Sequence, residues 1–318
     1  MKRLLVTGVS GLLGANLAWL AASRYQVTGV MRGGRALPKL GGTAPFETLL
    51  VDLMQPGSID QVLETAQPDL IIHCAALTEI DRCEACPEQA HQLNANLPRA
   101  LARAAARQGV RMLHISTDAV FDGIRGNYSE LDEPRPINAY AQSKLAGERA
   151  VAEENSDALI ARVNFYGWSW EGSRSIAEFF YNNLSAGRQV QGFTDIFFCP
   201  LLVNDIIEIL LWMLEHRLNG LYHVVSTEPL SKYTFACMLA REFGFDQNLI
   251  RPAVSTSSGL LAPRSPLLTL RNDKLVCALD AVLPDQNMAM RRYHALYQQG
   301  YPQELRSLFE QPGFATAA

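Results

Sequence analysis

Short apolar runs alternate with stretches of helical spacing through the first half of the chain. Arg3-Leu4-Leu5-Val6-Thr7 reads as a buried strand, Gly11 to Ser23 as a helix, and Gln26-Val27-Thr28-Gly29-Val30 as a second strand. Thr48-Leu49-Leu50-Val51 gives a third, followed by a helix over Ile59 to Ala66 with Ser58 as its N-cap. Leu70-Ile71-Ile72-His73-Cys74 is a fourth strand ending in small residues, and Pro87 to Arg107 has helical spacing with many alanines. Met112-Leu113-His114-Ile115-Ser116 gives a fifth strand, Ala139 to Glu153 a helix, and Ala158-Leu159-Ile160-Ala161-Arg162 a sixth strand. Alternation at this spacing requires crossovers between parallel strands, so the expected class is α/β, a doubly wound parallel sheet.

After Gly167 the pattern loosens. Trp168, Trp170, Gly172 and Ser173 suggest a loop, and helices alternate less regularly beyond it. The division expected is a nucleotide-binding domain over residues 1–167 and a smaller α+β substrate-binding domain over 168–318, interleaved with the first. Ser255-Thr256-Ser257-Ser258-Gly259 reads as a flexible polar stretch and the tail after Pro312 as frayed.

Composition narrows the function classes. With 318 residues, 48% hydrophobic and 19% charged, the chain is neither a disordered segment nor a small disulfide scaffold. A net charge of −4 excludes a broad basic footprint for nucleic acid and leaves room for a local basic pocket. Cys83 and Cys86 form a C-x-x-C with no second pair at zinc-site spacing, which points to unpaired thiols and no metal. Met1-Lys2-Arg3 and the apolar run to Ala22 mimic a signal peptide, but Gly8, Gly11 and Gly14 break that run at three-residue steps. Ile206 to Leu214 contains Glu208 and is too short to span a bilayer. The expectation is a soluble, cytoplasmic protein without a membrane segment.

Thr7-Gly8-Val9-Ser10-Gly11-Leu12-Leu13-Gly14 is a T-G-x-x-G-x-x-G sequence between a strand and a helix. Such glycines permit a tight turn and close backbone approach, so that amides of Ser10, Leu12 and Leu13 can face a pyrophosphate. An NAD enzyme usually carries an acidic residue after its second strand; here the chain reads Val30-Met31-Arg32-Gly33-Gly34. Arg32 suits a 2′-phosphate, which favours NADP(H) over NAD(H). Asp52 and Leu53 after the third strand are placed for the adenine edge, and Cys74, Ala75 and Ala76 for close passage of the cofactor.

Tyr140-Ala141-Gln142-Ser143-Lys144 sets a phenol and an ammonium four residues apart on one helical face, after a strand ending in Ser116-Thr117-Asp118. Reducing a ketone takes a hydride at carbon and a proton at oxygen. A free tyrosine titrates near ~10. A neighbouring Lys144 ammonium and an oxidised nicotinamide cation are therefore both expected to lower Tyr140, while Thr117 polarises the substrate oxygen and Lys144 holds the nicotinamide ribose.

With these residues the chain resembles the extended short-chain dehydrogenase/reductases, nearest to the dTDP-4-dehydrorhamnose reductases and related NAD(P)-dependent sugar reductases and epimerases. The likeness is carried by Thr7 to Gly14, Pro68 to Ala76, Ser116-Thr117-Asp118-Ala119-Val120-Phe121-Asp122-Gly123, Glu133-Pro134 and Asn138 to Glu148. It implies Thr117, Tyr140 and Lys144 as the catalytic set. It adds cofactor contacts from Thr78, Asn94 and Val163, and a substrate side drawn from Asp81, Asp118, Phe165 and Arg264. By the same likeness the substrate is a nucleoside diphosphate sugar, with Arg264, Arg271, Arg188 and Lys232 as candidate phosphate partners. Ala119 stands where that family has an aromatic and Phe165 where it has Trp, both bordering the sugar. Phe193 to Pro200 lacks a G-x-P-T ending, and Asn16 replaces a metal-linked acid. These departures leave the hydride chemistry and open the identity of the sugar.

Asp118-Ala119 disfavours a 4,6-dehydratase, which needs Asp-Glu after the threonine. Two alternatives stay open: another enzyme of the superfamily such as a 4-epimerase, and a non-catalytic NADP-binding regulatory subunit like that of methionine adenosyltransferase. Oligomeric state is also open, with a homodimer as the simplest arrangement.

Overall fold

The structure, a computed structural model, describes residues 1–32, 45–255 and 262–309. Gly33, Gly34, Thr256 to Gly259 and the tail after Pro312 lie outside the described residues. β1 (Arg3–Thr7), β2 (Gln26–Met31), β3 (Glu47–Leu50), β4 (Leu70–His73), β5 (Arg111–Thr117) and β6 (Leu159–Val163) fall where the apolar runs predict them. Gly220–Val224 joins as a seventh strand, giving the order β3-β2-β1-β4-β5-β6 and then Gly220–Val224. Every neighbouring pair is parallel. The doubly wound α/β class is therefore observed. The order reverses between β1 and β4, and in open sheets of this kind that switch point opens a crevice at the C-terminal strand ends.

The apolar runs are continuous because both faces of the sheet are covered. β1 sends Leu4 and Val6 into one core and Leu5 into the other, the period of two inherent to a strand. The first core lies under helix α1 (Leu12–Ala21) and the helix Val203–Glu215; the second lies under Ser58–Ala66, Leu97–Gln108 and Ala139–Glu154.

Three local expectations are corrected. The helix over Pro87 to Arg107 is broken into Pro87–His91, a π-helical turn over Gln92–Asn96, and Leu97–Gln108. Pro98 has no N–H to return to Asn94, and the Leu97 N–H reaches back to the Gln92 carbonyl, which widens the turn. Ser58 is the first helical residue and not the cap. Gly57, at φ +76°, precedes the helix, and the Ser58 hydroxyl donates to the Gln55 carbonyl at 2.7 Å. A short helix, Ile80–Ala85, follows β4 where none was foreseen.

Beyond β6, apart from Gly220–Val224, the described chain builds with two- to four-residue strands. Phe165–Tyr166 pairs with Leu201–Leu202, and Phe197–Phe198 lies between Leu230–Ser231 and Leu267–Leu268. Helices Ile176–Ser185, Lys232–Phe243 and Gln286–Gln298 pack around them. Among the described residues no helix is long and apolar enough to cross a membrane.

Candidate active site

β1 ends at Thr7 and α1 begins at Leu12, so the glycine loop is the turn between them. Gly8 has φ +74°, and a Cβ there would stand 2.6 Å from the Ala75 nitrogen; one on Gly14 would stand 2.3 Å from the Gly8 oxygen. The turn thus lies as close to β4 and to its own helix as backbone can. Gly11 offers no side-chain cap and the first turn of α1 carries no acid. Its amides and the positive end of the helix dipole are left for an anion, which fits the pyrophosphate of a dinucleotide. Trp170 Nε1 donates to the Ser10 carbonyl at 2.9 Å, bracing the loop from a segment the sequence showed only as irregular.

The loop opens into a cleft of about 870 Å³. Gly8, Ser10, Gly11, Leu12, Leu13 and Gly14 form one stretch of its wall, with Arg32, Asp52 and Leu53 beyond them. Cys74, Ala75, Ala76 and Thr78 follow from the end of β4, Thr117 and Asp118 from β5, and Val163 and Phe165 from β6 and the strand after it. Tyr140, Lys144 and Arg264 complete the set.

Two expected residues do not line the cleft. Asn94 is buried in the π-helical turn, where its side chain accepts from the Leu77 N–H at 2.8 Å and donates to the Leu77 carbonyl at 2.9 Å and to Ser143 at 3.0 Å. It shapes the segment after β4 from behind. Asp81 stands behind Arg264, accepting from its guanidinium at 3.0 Å and from the Ala262 N–H at 3.1 Å. That backbone bond first, and the guanidinium with it, holds the Asp81 carboxyl below its ordinary range. Of the other phosphate candidates only Lys232 reaches the cleft. Arg188 binds Asn183 and the Asn182 carbonyl, and Arg271 pairs with Asp273.

Asn138 starts the helix Ala139–Glu154: its carboxamide oxygen accepts from the Ala141 N–H at 2.9 Å, and its nitrogen donates to the Pro263 carbonyl at 3.0 Å. Tyr140 therefore sits in the first turn and Lys144 one turn on, on the same face. Thr117 accepts from the Ala119 N–H at 3.2 Å and donates to the Asp118 carboxylate at 3.1 Å. Asn164 donates to the other Asp118 oxygen at 2.5 Å. Burial raises the Asp118 carboxyl to about 6 against those hydrogen bonds. Sequence reasoning passed over Asn164; its signal was its place just past the C-terminal end of a strand.

Burial pushes the Tyr140 phenol above its ordinary value, with the neighbouring Thr117 side chain opposing. The expectation that Lys144 lowers this phenol is not met. Lys144 turns its Nζ to the Ile115 carbonyl at 2.7 Å, and burial brings it down to about 8 while Glu148 opposes the fall. Asn16 holds the Leu12 and Trp168 carbonyls at 2.7 and 2.9 Å and accepts from Tyr301 at 2.6 Å, a buried tie between α1 and the C-terminal elements.

The RmlD substrate binding domain family matches residues 1–299 of this chain. Among its relatives, dTDP-4-dehydrorhamnose reductase of Mycobacterium tuberculosis is 32% identical over 83% of this chain and 83% of its own. The methionine adenosyltransferase 2 subunit beta of Pongo abelii is 31% identical over 87% of this chain and 81% of its own. The structure of dTDP-4-dehydrorhamnose reductase from Bacillus anthracis, solved with NADP, superposes with a TM-score of 0.81 at 27% identity, over 93% of this chain and 99% of that one. With a parallel sheet, a glycine loop and a Thr-Tyr-Lys wall already in place, the family match over nearly the whole chain leads to one conclusion: this chain belongs to the RmlD substrate binding domain family.

Proposed function

We propose that the protein is an NADP(H)-preferring reductase of a keto group on a nucleotide sugar. The observation that carries this reading is the meeting of Thr117, Tyr140 and Lys144 in one cleft with the uncapped N-terminus of α1. A bound nicotinamide dinucleotide would supply the hydride. The glycine loop would hold its pyrophosphate, Val163 and Cys74 to Ala76 would let it lie close to the sheet, and Asp52 and Leu53 would border the adenine. Arg32, in place of an acid after β2, supports the 2′-phosphate.

Thr117 would donate to the substrate carbonyl oxygen, and the neutral Tyr140 phenol, held protonated by burial, would deliver the proton there. A charged Lys144 would hold the nicotinamide ribose hydroxyls and so fix the ring beside that phenol. Lys232 and Arg264 face the cleft from the far wall and would take the diphosphate of the sugar nucleotide, with Asp81 orienting Arg264. Ala119 and Phe165 leave the sugar pocket with less aromatic surface than the rhamnose reductases carry. Residues 1–167 would serve the cofactor and most of 168–318 the substrate.

The subunit beta relative favours one competing reading, a cofactor-binding subunit without turnover. Fluorescence titration with NADPH and NADH comes first, with NADPH expected to bind tighter; failure of both to bind would end either reading. Turnover of NADPH with a panel of 4-keto nucleotide sugars then separates the two. Tyr140→Phe is expected to lower kcat by roughly 10²–10⁴, the range of general acid catalysis, with cofactor affinity kept. A wild type that binds NADPH and reduces none of the panel would favour the subunit reading.

A further inference from the structure

The sheet changes character in steps beneath the helix that carries Tyr140 and Lys144. On the face under Ala139–Glu154, Leu5, Ile71 and Met112 lie in apolar contact. Two residues on along their strands come Thr7, His73 and His114, side by side. The next row is Ser116, Arg162 and His223, aligned on β5, β6 and Gly220–Val224.

Glu148 lies one turn beyond Lys144 and sets its carboxylate into that last row. The Ser116 hydroxyl donates to it at 2.5 Å, and Arg162 donates to both oxygens, at 2.9 Å through Nε and 2.8 Å through Nη2. The Glu148 and Arg162 side chains are only 6% and 3% exposed. His223 finishes the arrangement. Its Nδ1 donates to the Arg271 carbonyl at 3.0 Å, so its Nε2 accepts from Arg162 Nη1 at 3.3 Å. Only a neutral ring satisfies both contacts, and burial holds this one down near 4.

A buried ion pair of this kind is weak evidence for stability, because apolar replacements of similar volume often serve as well. Its position beside Lys144 gives it another use. The groups facing Lys144 are His73 and Cys74 from β4, His114 from β5, and Glu148 on its own helix. Burial lowers His73 to about 3 and His114 well below its ordinary value, and raises Cys74 to about 12. At neutral pH those three are uncharged. Lys144 reaches the Ile115 carbonyl and Glu148 the adjacent Ser116 hydroxyl, so among the described residues the Glu148 carboxylate, itself paired with Arg162, is the first group that favours the Lys144 ammonium.

We propose that Glu148, fixed by Ser116, Arg162 and His223, is a positioning residue that keeps Lys144 charged in a site that would otherwise strip it of its proton. The consequence for turnover rests on the reductase reading above. The charge state of Lys144 itself does not, and can be measured without any substrate.

The sign follows from the two opposing effects. Burial disfavours the ammonium and the carboxylate favours it, with the balance at about 8. Removing the carboxylate charge moves that balance further down, so the lysine loses its proton within the neutral range.

The test is NMR titration of the full chain with ¹³C-labelled lysine, the Lys144 ε-carbon signal being assigned by its loss in Lys144→Met. Wild type is expected to titrate near or above 8; titration below 7 would overturn the proposal. Glu148→Gln is expected to lower the midpoint by about one pH unit or more, through loss of the nearby opposite charge. That variant leaves Arg162 buried and unpaired, so Glu148→Gln/Arg162→Met, without either charge, is measured beside it. A purely structural role would lower Tm and leave the lysine midpoint in place, and an unmoved midpoint in either folded variant would sink the idea. Under NADPH turnover the alkaline limb of kcat/KM should move down with the lysine. A lysine that shifts while that limb stays still would count against the reductase reading and leave the assignment of Glu148 intact.

Discussion

The cleft has two walls, built in different ways. On the cofactor side the lining residues stand at the C-terminal ends of β1, β2, β4 and β5, each carried there by a buried strand. On the opposite side they stand on Phe197–Phe198 and Leu267–Leu268, at the start of the helix Lys232–Phe243, and in the stretch around Arg264. Among the described residues no strand on that side exceeds four residues. One wall is an inevitable product of sheet topology, since a switch point between parallel strands always leaves a crevice. The other is assembled from pieces far apart in sequence. The first can be shared by many enzymes, while the second is where a substrate would be chosen.

The sharpest way to break this contrast is at Gly8. Its φ of +74° strains any other residue, and a Cβ would stand 2.6 Å from backbone of Ala75 that cannot rotate away. Gly8→Ala is expected to weaken NADPH binding by about 100-fold or more, a loss near 3 kcal/mol. Fluorescence titration reads it directly. Binding within a few-fold of wild type would mean that the glycine loop is not where the dinucleotide lies.

Lys232 tests the other wall. It faces the cleft near Asp118 and Arg264, and burial pulls its amine below the ordinary value while Asp118 opposes the fall. Lys232→Met keeps the length and removes the charge. The expectation is a KM for the sugar nucleotide raised by roughly 10-fold, the scale of one charge-assisted hydrogen bond, with NADPH affinity unchanged. A variant that loses cofactor affinity instead would mean that the walls do not divide the work as proposed.

The same contrast explains what could be read in the sequence. β1, β4 and β5 were legible because a strand covered on both faces must be apolar throughout, and the glycines and Tyr140-x-x-x-Lys144 were legible because their chemistry needs fixed spacing. Asn94 was misplaced because its spacing was right and its direction was not visible. It sits in a π-helical turn, created where Pro98 lacks an N–H, and faces Leu77 in place of the cleft. Strand Gly220–Val224 lay in a stretch of irregular periodicity, and only its parallel pairing to β6 gives it meaning. The contacts of Asn164 with Asp118, and of Asp81 with Arg264, depend on approaches across 46 and 183 residues of chain. Nor does residue type reveal burial: Lys144 sits at about 8 because helix and sheet close over it.

Gly187 supplies the smallest and most exacting test of the contrast. Its φ is +69°, within a few degrees of Gly8, yet a Cβ there would meet nothing within 4 Å. It closes the turn after the helix Ile176–Ser185, away from the residues that line the cleft. Gly187→Ala therefore imposes the backbone cost of a left-handed alanine without the collision. The expected destabilisation is about 1 kcal/mol, seen as a shift in the urea midpoint at constant m-value, with NADPH affinity and KM both unchanged. If this substitution impaired binding as strongly as Gly8→Ala, the effect at Gly8 would be backbone strain felt throughout the fold. If it does not, the loss at Gly8 belongs to the close approach of the loop to Ala75, which is the feature a dinucleotide-binding wall requires.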